Sequence, residues 1–148
     1  MADNAGQAPK DIIGFLDYYF VKKAPFQIPE EAREIIVKWG PWVTVILLAL
    51  MLPLALAVLG IGTIFMPFGG YAYATSFGLG AAFLILHFVL MILSLPGLFA
   101  RKMSGWRLMF YAQVASLIES IFYYAFLTGI LTALIAFYIL FQVRRKYS

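Results

Sequence analysis

The sequence predicts an all-α integral membrane protein in which four transmembrane helices follow a cytoplasmic amphipathic helical arm. Composition is the first reason, because 64% of the 148 residues are hydrophobic and only 12% are charged. An ordinary soluble domain carries about 25% charged residues, and a short chain buries a smaller share of its surface than a long one. The second reason is that long stretches lack charge, and the third is that the basic residues cluster. A soluble globular protein and a disordered chain are excluded.

Three stretches with at most one charged residue supply the predicted transmembrane helices. Residues 41–67 contain no charged side chain or histidine, residues 68–100 contain His87 and tyrosines as their only titratable groups, and Glu119 is the only charge in 108–143. A bilayer core about 30 Å thick requires roughly 20 apolar residues per helix. Because the stretches show no polar–apolar alternation, they predict helices and not the strands of a barrel.

The predicted helices occupy residues 41–65, 72–99, 106–126 and 129–143. They form one transmembrane domain, 41–148. The last two helices share a short stretch, so we expect Thr128-Gly129 to form a tight turn between them; one long bent helix is the alternative. Pro53 and Pro96 predict kinks in the first and second helices, because proline cannot donate a backbone hydrogen bond.

Charge placement predicts the topology. Basic residues occur before the first helix, between the second and third, and after the fourth. They are Lys10, Lys22, Lys23, Arg33, Lys38, Arg101, Lys102, Arg107, Arg144, Arg145 and Lys146. Four crossings place all three clusters on one side, which the positive-inside rule makes the cytoplasm. We therefore expect both termini to be cytoplasmic, and the basic excess reflects topology and not nucleic-acid binding.

Residues 1–40 are predicted to form a polar N-terminal segment followed by interfacial amphipathic helices. Apolar side chains recur at helical spacing in the first of these helices. They are Ile12, Ile13, Leu16, Tyr19 and Phe20. The pattern predicts a helix that lies in the membrane interface or packs on the protein's own cytoplasmic face. Pro29 and Glu30 favour the start of a second helix. We expect an elbow at Gly40-Pro41, because the residue before proline avoids the α-helical region.

Glu119 is the most informative residue of the predicted membrane domain. A bare carboxylate in the bilayer core costs at least about 2.5 kcal/mol, so this group must be protonated or face hydrogen-bond donors. Polar residues on the same helix and one histidine on the preceding helix are the available neighbours. They are Gln113, Ser116, Ser120 and His87. The set predicts a proton-linked or cation-binding site, a hydrogen-bonded pair that fixes helix register or a subunit interface, or a glutamate near a wet outer mouth.

Motifs of soluble enzymes are missing from the sequence. It contains no cysteine, no phosphate-binding glycine loop and no histidine cluster for a metal. All three aspartates precede residue 18, so a Ser-His-Asp triad has no candidate acid. We expect no enzymatic activity, no cofactor and no metal site.

Two segments carry a resemblance to known proteins. Residues 95–107, Leu-Pro-Gly-Leu-Phe-Ala-Arg-Lys-Met-Ser-Gly-Trp-Arg, join the second and third helices, and residues 141–148, Phe-Gln-Val-Arg-Arg-Lys-Tyr-Ser, end the sequence. Together they resemble small four-helix bacterial inner-membrane proteins without an assigned activity. The resemblance implies an inner-membrane location and a four-helix topology, with no functional residue to carry over.

Two functions remain open at this point. One is a non-catalytic structural or accessory subunit that self-associates or docks on a larger membrane assembly, with the lipid bilayer and a second copy or a membrane protein as partners. The other is a small proton-coupled transporter or channel that acts as a homo-oligomer through Glu119. The chain resembles the small multidrug resistance transporters in size, helix count and a lone membrane carboxylate. It departs from them in its long arm and in carrying the carboxylate on helix 3, where theirs is on helix 1.

Overall fold

A computed structural model describes residues 11–123 and 125–148 of the chain. Over these residues the chain is helical with no strand, which confirms the all-α class. The main helices are α1 (Ile12–Asp17), α2 (Glu30–Phe65), α3 (Gly70–Phe99), α4 (Met103–Phe122) and α5 (Phe126–Val143). A π-helical turn, Tyr18–Lys22, extends α1, and short 3-10 turns occupy Met66–Phe68 and Arg144–Lys146. The polar segment predicted at residues 1–10 lies outside the described residues.

Three helices are long and apolar enough to cross a membrane. They are Glu30–Phe65, Ala74–Phe99 and Phe126–Lys146. These helices are typical of a membrane protein. Among the described residues, helix α4 is not one of the three helices that are long and apolar enough to cross a membrane. It carries Arg107, Gln113 and Glu119 and is therefore more polar than its neighbours.

The elbow expected at Gly40-Pro41 is not present. Helix α2 runs without interruption from Glu30 to Phe65 and contains both Pro41 and Pro53. Val37 and Pro41 are buried on either side of the expected break, so packing on the rest of the bundle holds the segment in one helix despite the lost hydrogen bond. Pro96 likewise lies inside α3. The kinks at Pro53 and Pro96 stay predictions.

The turn between α4 and α5 lies earlier than expected. Helix α4 ends at Phe122, α5 begins at Phe126, and the backbone N–H of Ala125 donates to the carbonyl of Ser120 (2.9 Å). The expected turn at Thr128-Gly129 is therefore wrong, and so is the single bent helix. A Cβ built on Gly129 would overlap the Ser120 side chain, so this glycine serves the close approach of α5 to α4.

Antiparallel pairs organise the bundle, with α3 packed between α2 and α4, and α5 packed on α4. Gly97 and Gly105 bring α3 and α4 together at one end, where a Cβ on either would overlap the other's backbone. At the other end of α4, a Cβ on Gly80 would lie 3.0 Å from the Tyr123 ring. Small residues let two helix backbones approach closely where the bilayer offers no hydrophobic drive between helices.

Ion pairs join the arm, the α3–α4 loop and the C-terminal segment at one end of the bundle, which we call the charged end. The pairs are Arg101–Glu34 (2.6 Å), Lys146–Glu30 (2.5 Å) and Arg144–Asp17 (3.2 Å). Ser148 also bonds to the backbone of Arg101 and Met103. Arg33 of the first basic cluster donates to Gln142, two residues before Arg144 (3.0 Å), so members of all three basic clusters meet at one end. The α2–α3 and α4–α5 turns lie at the opposite, turn end.

The arm covers an aromatic core at the charged end. Ile13, Leu16 and Phe20 pack against the core cluster, and the Phe20 ring stacks on Phe141 with centroids 6.0 Å apart. Two other residues of the predicted apolar set point away from the core, because Ile12 is 74% exposed and Tyr19 is 45% exposed. One side of the segment therefore packs on the protein itself. Its predicted contact with the membrane interface stays a prediction.

Candidate functional site

A cavity of about 400 Å³ lies between α2, α3 and α4. Helix α2 is held against α3 on both sides of it. Towards the charged end, the Trp42 ring meets Phe99 edge to face with centroids 5.3 Å apart. Towards the turn end, the Phe77 ring lies so close to Gly62 that a Cβ there would overlap it. The cavity remains between these two contacts because α3 packs closely on α4 and not on the middle of α2.

The walls of the cavity are mostly apolar. Helix α2 contributes Leu47, Met51, Leu54, Ala55 and Val58, and α3 contributes Leu84, Phe88 and Met91. Four residues with polar side chains join them: His87, Ser116, Glu119 and Tyr123. A cavity with apolar walls and a few convergent polar groups has the usual character of a binding site.

Glu119 lies in the last turn of α4, three residues before Phe122. The predicted helix continued to residue 126, so the structure places Glu119 nearer the turn end than the sequence predicted. Its side chain is partly buried and lines the cavity. Among the described residues its carboxylate has no hydrogen bond and no ion pair. A partly buried carboxylate is stabilised by a proton or by a polar partner, and any such partner of Glu119 lies beyond these residues.

His87 ties α3 to α4. Its Nδ1 lies 2.7 Å from the carbonyl oxygen of Ala112, and because a carbonyl only accepts, Nδ1 carries the hydrogen. His87 and Glu119 line the same cavity without forming the hydrogen-bonded pair that the sequence allowed. The histidine is thus bonded within the bundle, and the glutamate is not bonded to it.

The remaining residues of the predicted polar site do not lie together. Ser116 lines the cavity beside Glu119. The Ser120 side chain lies against Gly129 of α5, and its hydroxyl donates to the carbonyl of Leu117, one turn earlier in α4 (2.7 Å). Gln113 is partly buried and is not part of the cavity wall.

The predicted polar site did not include Tyr123 or any residue of the α2 wall. Tyr123 follows Glu119 by four residues, and this spacing places the two on one side of a helix. The α2 wall has no comparable signal, because in a helix that is apolar all round no face is marked as the inner one.

Comparison with family models, curated proteins and solved structures finds no match to this chain.

The chemistry available at the cavity follows from its residues alone. Within residues 11–123 and 125–148, no group of three or more His, Cys, Asp or Glu side chains could hold a metal ion. One carboxylate beside a hydroxyl and an imidazole can bind and release a proton or hold a monovalent or organic cation. The apolar walls would surround the carbon atoms of such a cation.

Proposed function

We propose that this chain is a small proton-coupled transport protein of the bacterial inner membrane, without enzymatic activity, that binds its proton or cation at Glu119. The observation that carries the proposal is a carboxylate with no bonding partner among the described residues that lines a cavity between three helices. A purely structural role called for a hydrogen-bonded pair inside the bundle, and His87, the expected partner, bonds to Ala112 instead. An unbonded carboxylate can gain and lose a proton at low cost to the fold.

The proposal includes four membrane crossings with both termini cytoplasmic. Helix α4 has 20 residues and is therefore about 30 Å long, the thickness of the hydrocarbon core. It packs against both α3 and α5, so its polar side chains need not face lipid. The meeting of the basic clusters at the charged end supports the same topology, since the positive-inside rule favours one cytoplasmic side for them.

A structural or accessory subunit is the second candidate function. It is favoured by the outer face of α2, where Ile46, Leu50 and Ile61 are each 56–62% exposed. Lipid or the helix of another subunit can cover this face equally well. In this function a partner chain, or a second copy, supplies the hydrogen-bond donor for Glu119.

One substitution distinguishes the two functions. Glu119→Gln keeps the shape of the side chain and removes its titration. Purified wild type and variant are placed in liposomes that contain a pH-sensitive dye, a pH gradient is imposed, and proton flux and oligomeric state are measured on the same sample. We expect wild type to move protons, and the variant to lose this flux while keeping its fold and oligomeric state.

The matched control is Glu31→Gln, the same chemical change at an exposed residue of α2 outside the cavity. It should leave flux unchanged. If wild type moves no protons under any gradient, the transport proposal is wrong. If Glu119→Gln also loses its oligomeric state, the accessory-subunit function takes its place.

A further inference from the structure

A second cavity, of about 740 Å³, lies at the charged end between the start of the arm and α4; we call it the arm groove. Its volume is within the range of small-molecule sites. It is separate from the Glu119 cavity and shares no wall residue with it. The inference drawn from it is therefore independent of the proposed function.

The arm groove combines one cation and one anion that are both available to a ligand. Asp11 and Arg107 are exposed residues of its wall, and neither has an ion-pair partner within the described residues. Arg144, the third charged residue of the wall, is already engaged: it pairs with Asp17 at 3.2 Å, and its guanidinium lies 5.2 Å from the Trp106 ring centroid. The groove thus presents one positive and one negative charge that are not used in ion pairs with described residues.

An apolar wall continues from the charged part of the groove along α4. It is formed by Phe110, Tyr111 and Val114. From Arg107 to Val114 the helix rises about 10 Å, in the direction away from the charged end. A ligand of this groove therefore needs a dipolar headgroup joined to an apolar chain.

We propose that the arm groove binds a phospholipid with an ethanolamine headgroup. The phosphate lies against Arg107, the ammonium group donates to the Asp11 carboxylate, and an acyl chain follows Phe110, Tyr111 and Val114. Charge-assisted hydrogen bonds of both kinds are stronger than neutral ones. A phosphatidylglycerol headgroup would leave Asp11 without a cation. A choline headgroup carries the positive charge but has no N–H to donate.

Native mass spectrometry with lipids of equal acyl chains tests this proposal. The protein is equilibrated in detergent with equal amounts of phosphatidylethanolamine, phosphatidylcholine and phosphatidylglycerol, and the retained lipids are counted. We expect ethanolamine lipid to be retained about tenfold or more over the other two, because one charge-assisted hydrogen bond separates them. In a second series, the mono- and dimethylated ethanolamine lipids should be retained progressively less, as N–H donors are removed.

Two variants and two controls assign the contacts. Arg107→Gln should lower retention of ethanolamine lipid about tenfold, and Asp11→Asn should abolish its advantage over phosphatidylcholine. Lys102→Gln and Glu31→Gln remove exposed charges outside the groove and should leave retention unchanged. Thermal unfolding verifies that each variant is folded, and if one is not, the headgroup series on wild type decides.

Two results overturn the proposal. Equal retention of all three headgroups means that the groove only solvates acyl chains. Retention of phosphatidylglycerol at or above that of phosphatidylethanolamine means that the groove is an anion site in which Asp11 has no part.

Discussion

The contact between α4 and α5 depends on the small size of Gly129. A Cβ at this position would overlap the Ser120 side chain. Gly129→Ala must therefore push the helices apart or displace the serine, and overpacking of this kind costs about 1–3 kcal/mol. We expect the free energy of unfolding, measured by denaturation in mixed micelles, to fall by this amount.

A second glycine and a double variant serve as controls for this prediction. Gly60 lies in helix α2 with open space around it, so Gly60→Ala should cost nothing, because alanine is the better helix former. Adding Ser120→Gly to Gly129→Ala removes the overlapping atoms and should restore much of the stability. Equal stability of the Gly129→Ala and Gly60→Ala variants would show that the two helices are not in this contact.

Sequence reasoning selected single residues whose type is rare in a membrane, and it was wrong at a residue type that has several structural uses. Glu119 and His87 were identified because charged and titratable groups are scarce in apolar stretches. The partner of His87 could not be predicted, because it is a backbone carbonyl, and every residue has one. Gly129 was misread as part of a turn, since glycine serves both turns and close helix contacts.

Gln142 connects two segments at the charged end. It is 2% exposed, accepts a hydrogen bond from Arg33 (3.0 Å) and donates one to the carbonyl of Phe20 (2.8 Å). Gln142→Leu keeps the volume but leaves the guanidinium and the carbonyl without this partner, and each unsatisfied group costs about 1–3 kcal/mol. We expect the variant to lose stability and the arm to exchange its amide hydrogens faster.

Amide hydrogen exchange of residues 12–22 is the direct measurement for this prediction. Gln113→Leu is the matched control, because Gln113 is a partly buried glutamine with no side-chain hydrogen bond among the described residues. Gln142→Glu keeps an oxygen that accepts from Arg33, so the contact with α2 should persist. It removes the N–H that donates to the carbonyl of Phe20, so the contact with the arm should weaken. Unchanged arm exchange in Gln142→Leu would show that apolar packing alone holds the arm.

Helix ends were predicted well where a charge or proline follows directly, and poorly elsewhere. Three C-terminal ends were correct at Phe65, Phe99 and Val143, because Pro67, Arg101 and Arg144 come within two residues. The helix start predicted at Pro29 and Glu30 is confirmed, but α2 continues through the predicted break into the first crossing, since nothing in the sequence shows that buried Val37 and Pro41 keep the segment in one helix. The later helices begin two or three residues before their predicted starts. Packing between elements, which decides such cases, leaves no local signal.

The two helical hairpins differ in reach. Gly80 lies beside Tyr123 at the end of α4, whereas α3 begins ten residues earlier, at Gly70. At 1.5 Å per residue the α2–α3 hairpin extends about 15 Å beyond the α4–α5 turn. Because α4 and α5 match a 30 Å hydrocarbon core, the longer hairpin must tilt, thicken the bilayer locally or extend beyond it.

The proposed orientation and the unequal hairpins together predict an order of labelling by an impermeant thiol reagent. The chain has no cysteine, so single cysteines report one position each. Phe68 is 84% exposed at the tip of the longer hairpin. Phe68→Cys should therefore be labelled fastest from outside intact cells. Ala125→Cys, at the shorter α4–α5 turn, should be labelled more slowly, because it lies deeper.

Ser148→Cys at the charged end should be labelled only after the membrane is permeabilised. Labelling of both Phe68→Cys and Ser148→Cys in intact cells would require an even number of crossings between the two positions and would remove the four-crossing model. Labelling of Ser148→Cys alone in intact cells would mean that the proposed orientation is reversed. Equal labelling rates of Phe68→Cys and Ala125→Cys would mean that both turns lie equally close to the membrane surface.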